Sequence, residues 1–138
     1  MSFVNPADSV IRDILAQPRR IAVVGCSPDP SRDSNHVAQL LIDHGHHVIP
    51  VNPTAAEAVG RPCVATLREI GEPIDMVDVF RRSDQIDPIV DDAIAIGARI
   101  LWLQLGVINE PAARRAQAAG LTVVMDRCPA IEYRRLFP

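Results

Sequence analysis

A short polar loop behind the first strongly apolar run carries the residues best suited to binding chemistry. The run at residues 21–24 ends at Gly25, and Ser27 and Arg32 follow before a helical pattern begins near Ser34. A strand, a tight turn and a helix in this order present backbone N–H groups and a helix N-terminus to a phosphate. The second and third glycines of the dinucleotide-binding fingerprint are replaced, one of them by Ser27. The loop therefore predicts either a phosphate site or an ordinary turn between strand and helix.

Polar or turn-forming residues also follow the later apolar runs. They are Asn52, Pro53, Arg81, Arg82, Gln104 and Gly106. The carboxyl ends of parallel strands meet at one edge of a sheet, so we expect these residues to lie beside the first loop. An NAD site normally has an acidic residue after the second strand, whereas Asn52 does not repel a phosphate.

The two consecutive arginines strengthen this interpretation. Arg81 and Arg82 can form charge-assisted hydrogen bonds with phosphate oxygens. The pattern therefore favours a nucleotide with an extra ribose phosphate, such as coenzyme A (CoA) or NADP, over NAD. The alternative is that both arginines are solvated or cap a neighbouring helix.

Catalytic and metal-binding groups have less support. The chain has no lysine, which excludes a lysine Schiff base and a Walker-type lysine. His44, His46 and His47 straddle a predicted helix end, so their side chains should diverge, and no cysteine or carboxylate completes a metal-ligand set. Asp78 lies within an apolar strand, where pairing with an arginine or with backbone N–H groups is expected instead of general-base work. Cys128 has no evident histidine base. We therefore predict no catalytic residue and no metal site.

Composition limits the class of protein. The 138 residues suit one domain, residues 1–138, and the net charge of −3 gives no field that would attract nucleic acid or an anionic membrane. The apolar runs are shorter than the ~20 residues of a membrane-spanning helix, and no secretory signal is recognisable. Three cysteines without C-x-x-C spacing argue against a disulfide framework. We expect a cytoplasmic protein, and homo-oligomerisation stays open.

Alternating patterns predict the elements that position these residues. Strands are predicted over residues 21–24, 47–51, 76–80, 99–103 and 121–125. Helical spacing separates them, with Asn5 as the N-cap of a first helix, Ser83 as the cap of another and Asn109 at the start of a third. The strands are continuous apolar runs, which is typical of a sheet covered on both faces. We predict a Rossmann-like, doubly wound α/β fold with a mainly parallel sheet of five to six strands and residues 1–18 packed on it as a helix.

Five ordered motifs resemble the small, single-domain CoA-binding protein family. They are residues 21–27 with Arg32, 48–53 (Val-Ile-Pro-Val-Asn-Pro), 75–82, 102–109 and 125–129. The resemblance runs from about residue 8 to the end, and the family is similar in fold to the nucleotide domain of the succinyl-CoA synthetase α subunit. It implies that CoA is bound by the first loop, the Asn-Pro turn, the paired arginines and the Gln-x-Gly segment. The matching positions are Gly25, Ser27, Arg32, Asn52, Pro53, Arg81, Arg82, Gln104 and Gly106.

The resemblance implies binding without ligase chemistry, because the synthetase domain that carries a phosphorylated histidine has no counterpart here. The predicted function is non-catalytic binding of CoA or an acyl-CoA. Two alternatives stay open: an NADP-dependent or acyl-CoA-using enzyme subunit whose catalytic half is another chain, and an interaction module with an empty pocket. With the adenine–diphosphate end expected at the first loop, Cys26 should be a packing residue. Cys128 is then the better candidate for a disulfide with the CoA thiol.

Overall fold

The computed structural model describes residues 3–138, and its helices surround a parallel sheet. The strands are β1 (Arg20–Val24), β2 (His47–Val51), β3 (Glu57–Ala58), β4 (Arg61–Pro62), β5 (Met76–Val79), β6 (Ile100–Leu103) and β7 (Thr122–Val124). The helices are α1 (Asp8–Ala16), α2 (Asp33–Asp43), α3 (Asp87–Ala95), α4 (Glu110–Ala118) and α5 (Pro129–Leu136). Short 3₁₀ turns cover Leu67–Glu69 and Ser83–Gln85.

Within residues 3–138, five parallel strands form the central sheet in the order β2-β1-β5-β6-β7, and β3 pairs with β4 as a separate hairpin. Alternate residues of β1 face two buried layers. Ile21 and Val23 pack with α1, α2 and α5, whereas Ala22 and Val24 pack with α3 and α4. Both faces of the sheet are thus covered, as the continuous apolar runs predict. The predicted α/β, Rossmann-like fold is confirmed.

The strand order defines the edge of the sheet at which a ligand is expected. β2 lies on one side of β1, whereas β5, β6 and β7 follow on the other side. The order therefore reverses between β1 and β5, and open parallel sheets bind ligands at the carboxyl ends of strands beside such a reversal. The two carboxyl ends stay paired there, because the Phe80 N–H donates to the Val24 carbonyl at 2.9 Å.

The prediction that Asn5 caps the first helix is wrong. α1 begins at Asp8, and Asn5 instead bonds to an edge of the sheet. Its Nδ2 donates to the Met125 carbonyl at 2.9 Å, and its Oδ1 accepts from the Met125 N–H at 2.8 Å. Met125 directly follows β7, the outer strand, so these backbone groups would otherwise lack a protein partner. The side-chain amide of Asn5 thus replaces a short piece of neighbouring strand.

The prediction that Ser83 caps the helix before Gly97 is also wrong. Ser83 lies in a 3₁₀ turn, and α3 begins only at Asp87. The Ser83 hydroxyl instead accepts a hydrogen bond from the Ile108 N–H at 2.9 Å, which joins two loops at the carboxyl edge. Asn109 does cap α4, since its Oδ1 accepts from the Ala112 N–H at 3.1 Å. No helix among residues 3–138 has the length and apolar character needed to cross a membrane.

Candidate functional site

Gly25 forms the sharp turn that ends β1. Its φ is +81°, and a Cβ at this position would lie 2.3 Å from the Phe80 carbonyl oxygen. Both the left-handed backbone and the close approach therefore require glycine. The Gly25 N–H donates to the Val51 carbonyl at 2.9 Å, so the turn is anchored to β2 as well as packed against the end of β5.

The loop after Gly25 is held by its own polar groups. The Ser27 N–H donates to Ser34 Oγ at 2.9 Å, and the Ser27 carbonyl accepts from Asn35 Nδ2 at 2.9 Å. Ser27 Oγ accepts from the Asp29 N–H at 3.0 Å. A shallow cavity of about 520 Å³ opens above this loop. Its lining residues are Gly25, Ser27, Ser31, Arg32, Asp33, Ser34 and Phe80.

Asn52 and Pro53 lie outside this cavity. Asn52 Nδ2 donates to the Cys26 carbonyl at 2.9 Å, and its Oδ1 accepts from both the N–H and the hydroxyl of Thr54 at 2.9 Å. The amide of Asn52 therefore fixes the β1 loop to the turn after β2. Pro53 is exposed in that turn. A contact of either residue with a ligand stays a prediction.

A larger cavity of about 730 Å³ adjoins the first one, and both are lined by Asp33 and Phe80. Its remaining lining residues are His36, Val37, Arg81, Arg82, Ser83, Gln104, Leu105, Gly106, Val107, Cys128, Ala130, Ile131 and Arg134. The ends of β5 and β6 form its floor, and α2 and α5 form its walls. The volume lies within the range of small-molecule sites.

Cations dominate the charge around the two cavities. Among residues 3–138, the half-buried side chain of Arg81 has no hydrogen-bond or ion-pair partner, whereas Arg32 is exposed and acts electrostatically on the Asp29 carboxylate. Arg82 is exposed and lies 3.6 Å from the carboxylate of Asp84. Arg134 adds a further guanidinium from α5. Such groups bind phosphate oxygens with planar, charge-assisted hydrogen bonds.

Gln104 and Gly106 form the turn after β6. Gln104 is 6% exposed, and its Oε1 is buried without a hydrogen-bond partner. Gly106 has a φ of +83°, and its N–H donates to the carboxylate of Asp126 at 2.8 Å. The backbone of this turn is therefore held from the loop after β7, and Gln104 is one of the residues that line the larger cavity.

The cysteines differ sharply in environment. Cys26 is fully buried, and this burial raises the pKa of its thiol to about 11. A thiol in that state is a packing group and not a nucleophile, which confirms the packing role predicted for Cys26. Cys128 is half-buried and lines the larger cavity. A disulfide between Cys128 and a ligand thiol stays a prediction.

The other titratable groups singled out in the sequence belong to the interior or to the opposite edge. Asp78 is fully buried, and no arginine pairs with it among residues 3–138, so the predicted arginine pairing is wrong. The backbone N–H of Val79 is the polar group that acts on its carboxyl, although no hydrogen bond of normal geometry forms. Burial raises the pKa of Asp78 well above its ordinary value, and the Val79 N–H opposes that shift. His46 bonds to Tyr133, and His47 bonds to Glu72 at 2.8 Å. Residues 3–138 contain no group of three potential metal ligands.

Another cavity, of about 790 Å³, lies between α2 and the β3–β4 hairpin. It is slightly larger than the cavity at Gln104, so size does not identify the site. Neither Asp78 nor Gln104, the two described residues with unpartnered buried side-chain atoms, lines it. The lining residues include His36, Gln39, Asp43 and His44 but no arginine. Charge therefore favours the pair of cavities at the carboxyl edge.

Phe80, Arg134 and Ile131 were not singled out as site residues from the sequence. From the sequence, Phe80 is predicted only to be the last residue of an apolar strand. In the structure it lines both cavities. Local sequence does not indicate that α5 packs beside α2, which brings Ile131 and Arg134 to the larger cavity. A basic residue on the last helix was the available signal for Arg134.

Comparisons with known proteins find several chains that are similar over most of this one. A family model described as a CoA binding domain matches residues 19–134. The uncharacterized protein YneT of Bacillus subtilis is 44% identical over 124 residues, which cover 90% of this chain and 92% of that protein. A hypothetical protein from Pyrococcus horikoshii OT3 is 38% identical with a TM-score of 0.91, and the match covers 100% of both chains.

A larger enzyme contains a similar unit. A dinucleotide-forming acetyl-coenzyme A synthetase of Ca. Korarchaeum cryptofilum is 26% identical with a TM-score of 0.71. The match covers 83% of this chain and 27% of the synthetase. The resemblance indicated by the five sequence motifs is thereby confirmed.

Proposed function

This chain belongs to the CoA-binding domain family, and on that premise we propose that it binds coenzyme A or an acyl-CoA without catalysing a reaction on it. The proposed site is the pair of adjoining cavities at the carboxyl edge of the sheet. The observation that carries the proposal is their pairing: a small polar cavity on the β1 loop continues into a larger one beside unpaired cations.

The two cavities suit different parts of such a ligand. The smaller one is lined mainly by serines, Arg32 and the turn at Gly25, which are groups that bind phosphate oxygens. The larger one combines apolar walls with Arg81 and Arg82. CoA carries a pyrophosphate and a ribose 3′-phosphate, so its charge demands several cations. The proposed contacts are Gly25, Ser27, Arg32, Ser34, Asn52, Pro53, Arg81, Arg82, Gln104 and Gly106.

The proposal also covers the organisation of the chain. We propose that residues 1–138 act as one domain with α1 packed on it, because Arg135 on α5 holds the Asp8 carboxylate with two hydrogen bonds of 2.8 Å. Arg12 on α1 also donates to the Leu136 carbonyl at 3.2 Å. These contacts tie the first helix to the last.

A second candidate is an enzyme subunit that uses an acyl-CoA or NADP and whose catalytic half is another chain. The match to little more than a quarter of a synthetase favours it, since there a similar unit is part of a larger enzyme. The two candidates share the binding site and differ in what acts on the ligand. A turnover assay without a partner chain therefore does not separate them, whereas ligand identity does separate CoA from NADP.

Isothermal titration calorimetry tests the binding proposal. CoA should bind at least about tenfold more tightly than dephospho-CoA or NAD, because a lost charge-assisted hydrogen bond costs about 1.5–3 kcal/mol. Arg81→Ala should weaken CoA binding by at least a similar factor, and affinity should fall with added salt.

The matched control is Arg99→Ala. Arg99 is an exposed arginine just before β6, at the opposite edge of the sheet, and its loss should leave CoA affinity unchanged. Equal affinities for CoA and dephospho-CoA, or equal effects of the two arginine substitutions, would contradict the proposal.

A further inference from the structure

A further cavity, of about 320 Å³, lies between α2 and α5. This α2–α5 cavity is lined by Leu40, His44, Ala130, Tyr133, Arg134 and Phe137. Leu40, Ala130 and Phe137 are half-buried, so their apolar side chains keep surface that is open to a ligand. Most of the lining is therefore apolar or aromatic, which suits a hydrocarbon chain better than a polar group.

Three cavities adjoin one another in a fixed order. The cavity above the β1 loop and the larger cavity share Asp33 and Phe80. The larger cavity and the α2–α5 cavity share Ala130 and Arg134. The first and the last have no lining residue in common, so the larger cavity lies between them. A long ligand can therefore extend from the β1 loop, across the larger cavity and into the α2–α5 cavity.

We propose that the α2–α5 cavity holds the acyl chain of an acyl-CoA, and that a medium-chain acyl-CoA is therefore preferred over CoA. This inference rests on the proposed function, in which phosphate groups bind above the β1 loop. The phosphates of CoA lie at one end of the pantetheine arm and its sulfur at the other. With the phosphates at the β1 loop, the arm crosses the larger cavity, where Phe80 and Leu105 offer apolar surface. The sulfur then reaches the side of that cavity formed by α5, next to the α2–α5 cavity.

The size of the α2–α5 cavity limits the length of the acyl chain. Ala130 and Phe137 line its two ends along α5 and are seven residues apart, which corresponds to roughly 10 Å at the rise of an α-helix. An extended octanoyl chain has about this length, whereas an acetyl group is too short to pass the junction at Ala130. Each methylene that leaves water raises affinity by up to about fourfold. A preference for a chain of medium length is therefore expected.

A second neighbouring cavity competes for the chain. The cavity of about 790 Å³ between α2 and the β3–β4 hairpin shares His36 with the larger cavity. Its lining includes the polar side chains of Gln39 and Asp43, which a hydrocarbon chain would cover without gain. Gln39 does not line the α2–α5 cavity, so substitution at this position distinguishes the two routes.

Isothermal titration calorimetry with CoA, acetyl-CoA and octanoyl-CoA tests the proposal. Wild-type protein should bind octanoyl-CoA at least about tenfold more tightly than acetyl-CoA, because several methylenes leave water. Acetyl-CoA and CoA should bind about equally. The affinity for CoA, measured with every variant, is the reference against which the preference for the octanoyl chain is expressed.

Two variants at Leu40 remove the preference in different ways. Leu40→Trp fills the cavity, and Leu40→Gln keeps the size of the side chain but makes it polar, which covers the case in which tryptophan disturbs the packing of α2. Both should reduce the octanoyl preference to about threefold or less. Gln39→Trp is the matched control, since it adds the same bulky ring one residue earlier on α2, where the side chain is exposed. It should keep the full preference.

Each contrary outcome has a distinct meaning. Equal affinities of wild-type protein for acetyl-CoA and octanoyl-CoA, with CoA still bound, would overturn the inference and leave the proposed function intact. A preference that both Leu40 variants retain, or that Gln39→Trp removes, would place the chain outside the α2–α5 cavity and would also overturn the inference. A wild-type protein that binds neither CoA nor either thioester would remove the proposed function and this inference together.

Discussion

The two edges of the sheet differ in how far their buried and half-buried polar side chains find partners within the chain. At the amino edge, the Asp75 carboxylate accepts from the Arg20 N–H at 2.8 Å, and His47 pairs with Glu72. At the carboxyl edge, Arg81 is half-buried without a partner, and Gln104 Oε1 is buried without one in the described chain. The same strands end at both edges, so the strands themselves do not cause the difference.

A chain of hydrogen bonds at the amino edge shows how complete the pairing is there. The Arg19 N–H donates to His46 Nδ1 at 3.0 Å, His46 Nε2 lies 2.6 Å from Tyr133 Oη, and that hydroxyl donates to the Leu15 carbonyl at 3.0 Å. Only neutral His46 with its proton on Nε2 satisfies all three bonds. His44 stacks on Tyr133 with ring centroids 3.8 Å apart. In this series of hydrogen bonds, both ring nitrogens of His46 and the hydroxyl of Tyr133 have partners, and together they hold α1 and α5 on the sheet.

The difference indicates where the proposed ligand would bind. The half-buried guanidinium of Arg81 has no partner among residues 3–138, and a phosphate group would supply one. The paired edge should respond to mutation through stability, and the unpaired edge through binding.

The largest expected effect is a loss of stability at Gly25. This residue lies at the carboxyl edge, but it is needed for the fold as well as for the proposed site. Gly25→Ala should lower the free energy of unfolding by about 3 kcal/mol or more, since its Cβ would overlap the Phe80 carbonyl oxygen. The control is Gly97→Ala at the amino edge, where φ is +75° but nothing lies within 4 Å of an added Cβ. Backbone strain alone should cost it about 1–2 kcal/mol. Urea denaturation measures both, and equal losses would mean that the close approach at Gly25 is unimportant.

A smaller effect concerns pH at the amino edge. Burial lowers the pKa of His46 below its ordinary value, and nearby His44 and Arg19 add to the shift. The unfolded chain therefore binds an extra proton below about pH 6.5, and the free energy of unfolding should fall as the pH drops through that value. The slope contributed by one such proton is at most about 1.4 kcal/mol per pH unit.

Comparison with His46→Gln isolates this contribution. The variant starts less stable but should lose stability less steeply between pH 7 and pH 5, as measured by denaturant titration at each pH. His36→Gln, at an exposed histidine outside this hydrogen-bond network, is the matched substitution. Parallel curves for wild type and His46→Gln would show that His46 is not buried as a neutral group.

The fold could be predicted from the sequence because each strand is a continuous apolar run bounded by turn residues. Local pattern also predicts the cap at Asn109, whose bonding partner is Ala112, three residues later. Asn5 could not be predicted in this way, because its partner Met125 lies 120 residues away in the chain. The caps that failed are those whose partners are fixed by tertiary structure.

The same distinction between local and distant partners applies to the residues of the candidate site. Gly25, Ser27, Arg32 and Ser34 are close in sequence and do line one cavity. The sequence could not indicate that Asn52 uses its amide to hold the loop, since its partners depend on how two turns meet. The missing partner of Gln104 is likewise invisible before the surrounding side chains are in place.

The central claim is that the unpaired edge binds CoA or an acyl-CoA, and native mass spectrometry of freshly prepared protein tests it most directly. We predict a non-covalent complex whose added mass is that of CoA or an acyl-CoA, formed during expression or on addition of excess CoA. The compound released by denaturation should show the ultraviolet spectrum of adenine. Release of NADP, or no complex after excess CoA has been added, would contradict the account.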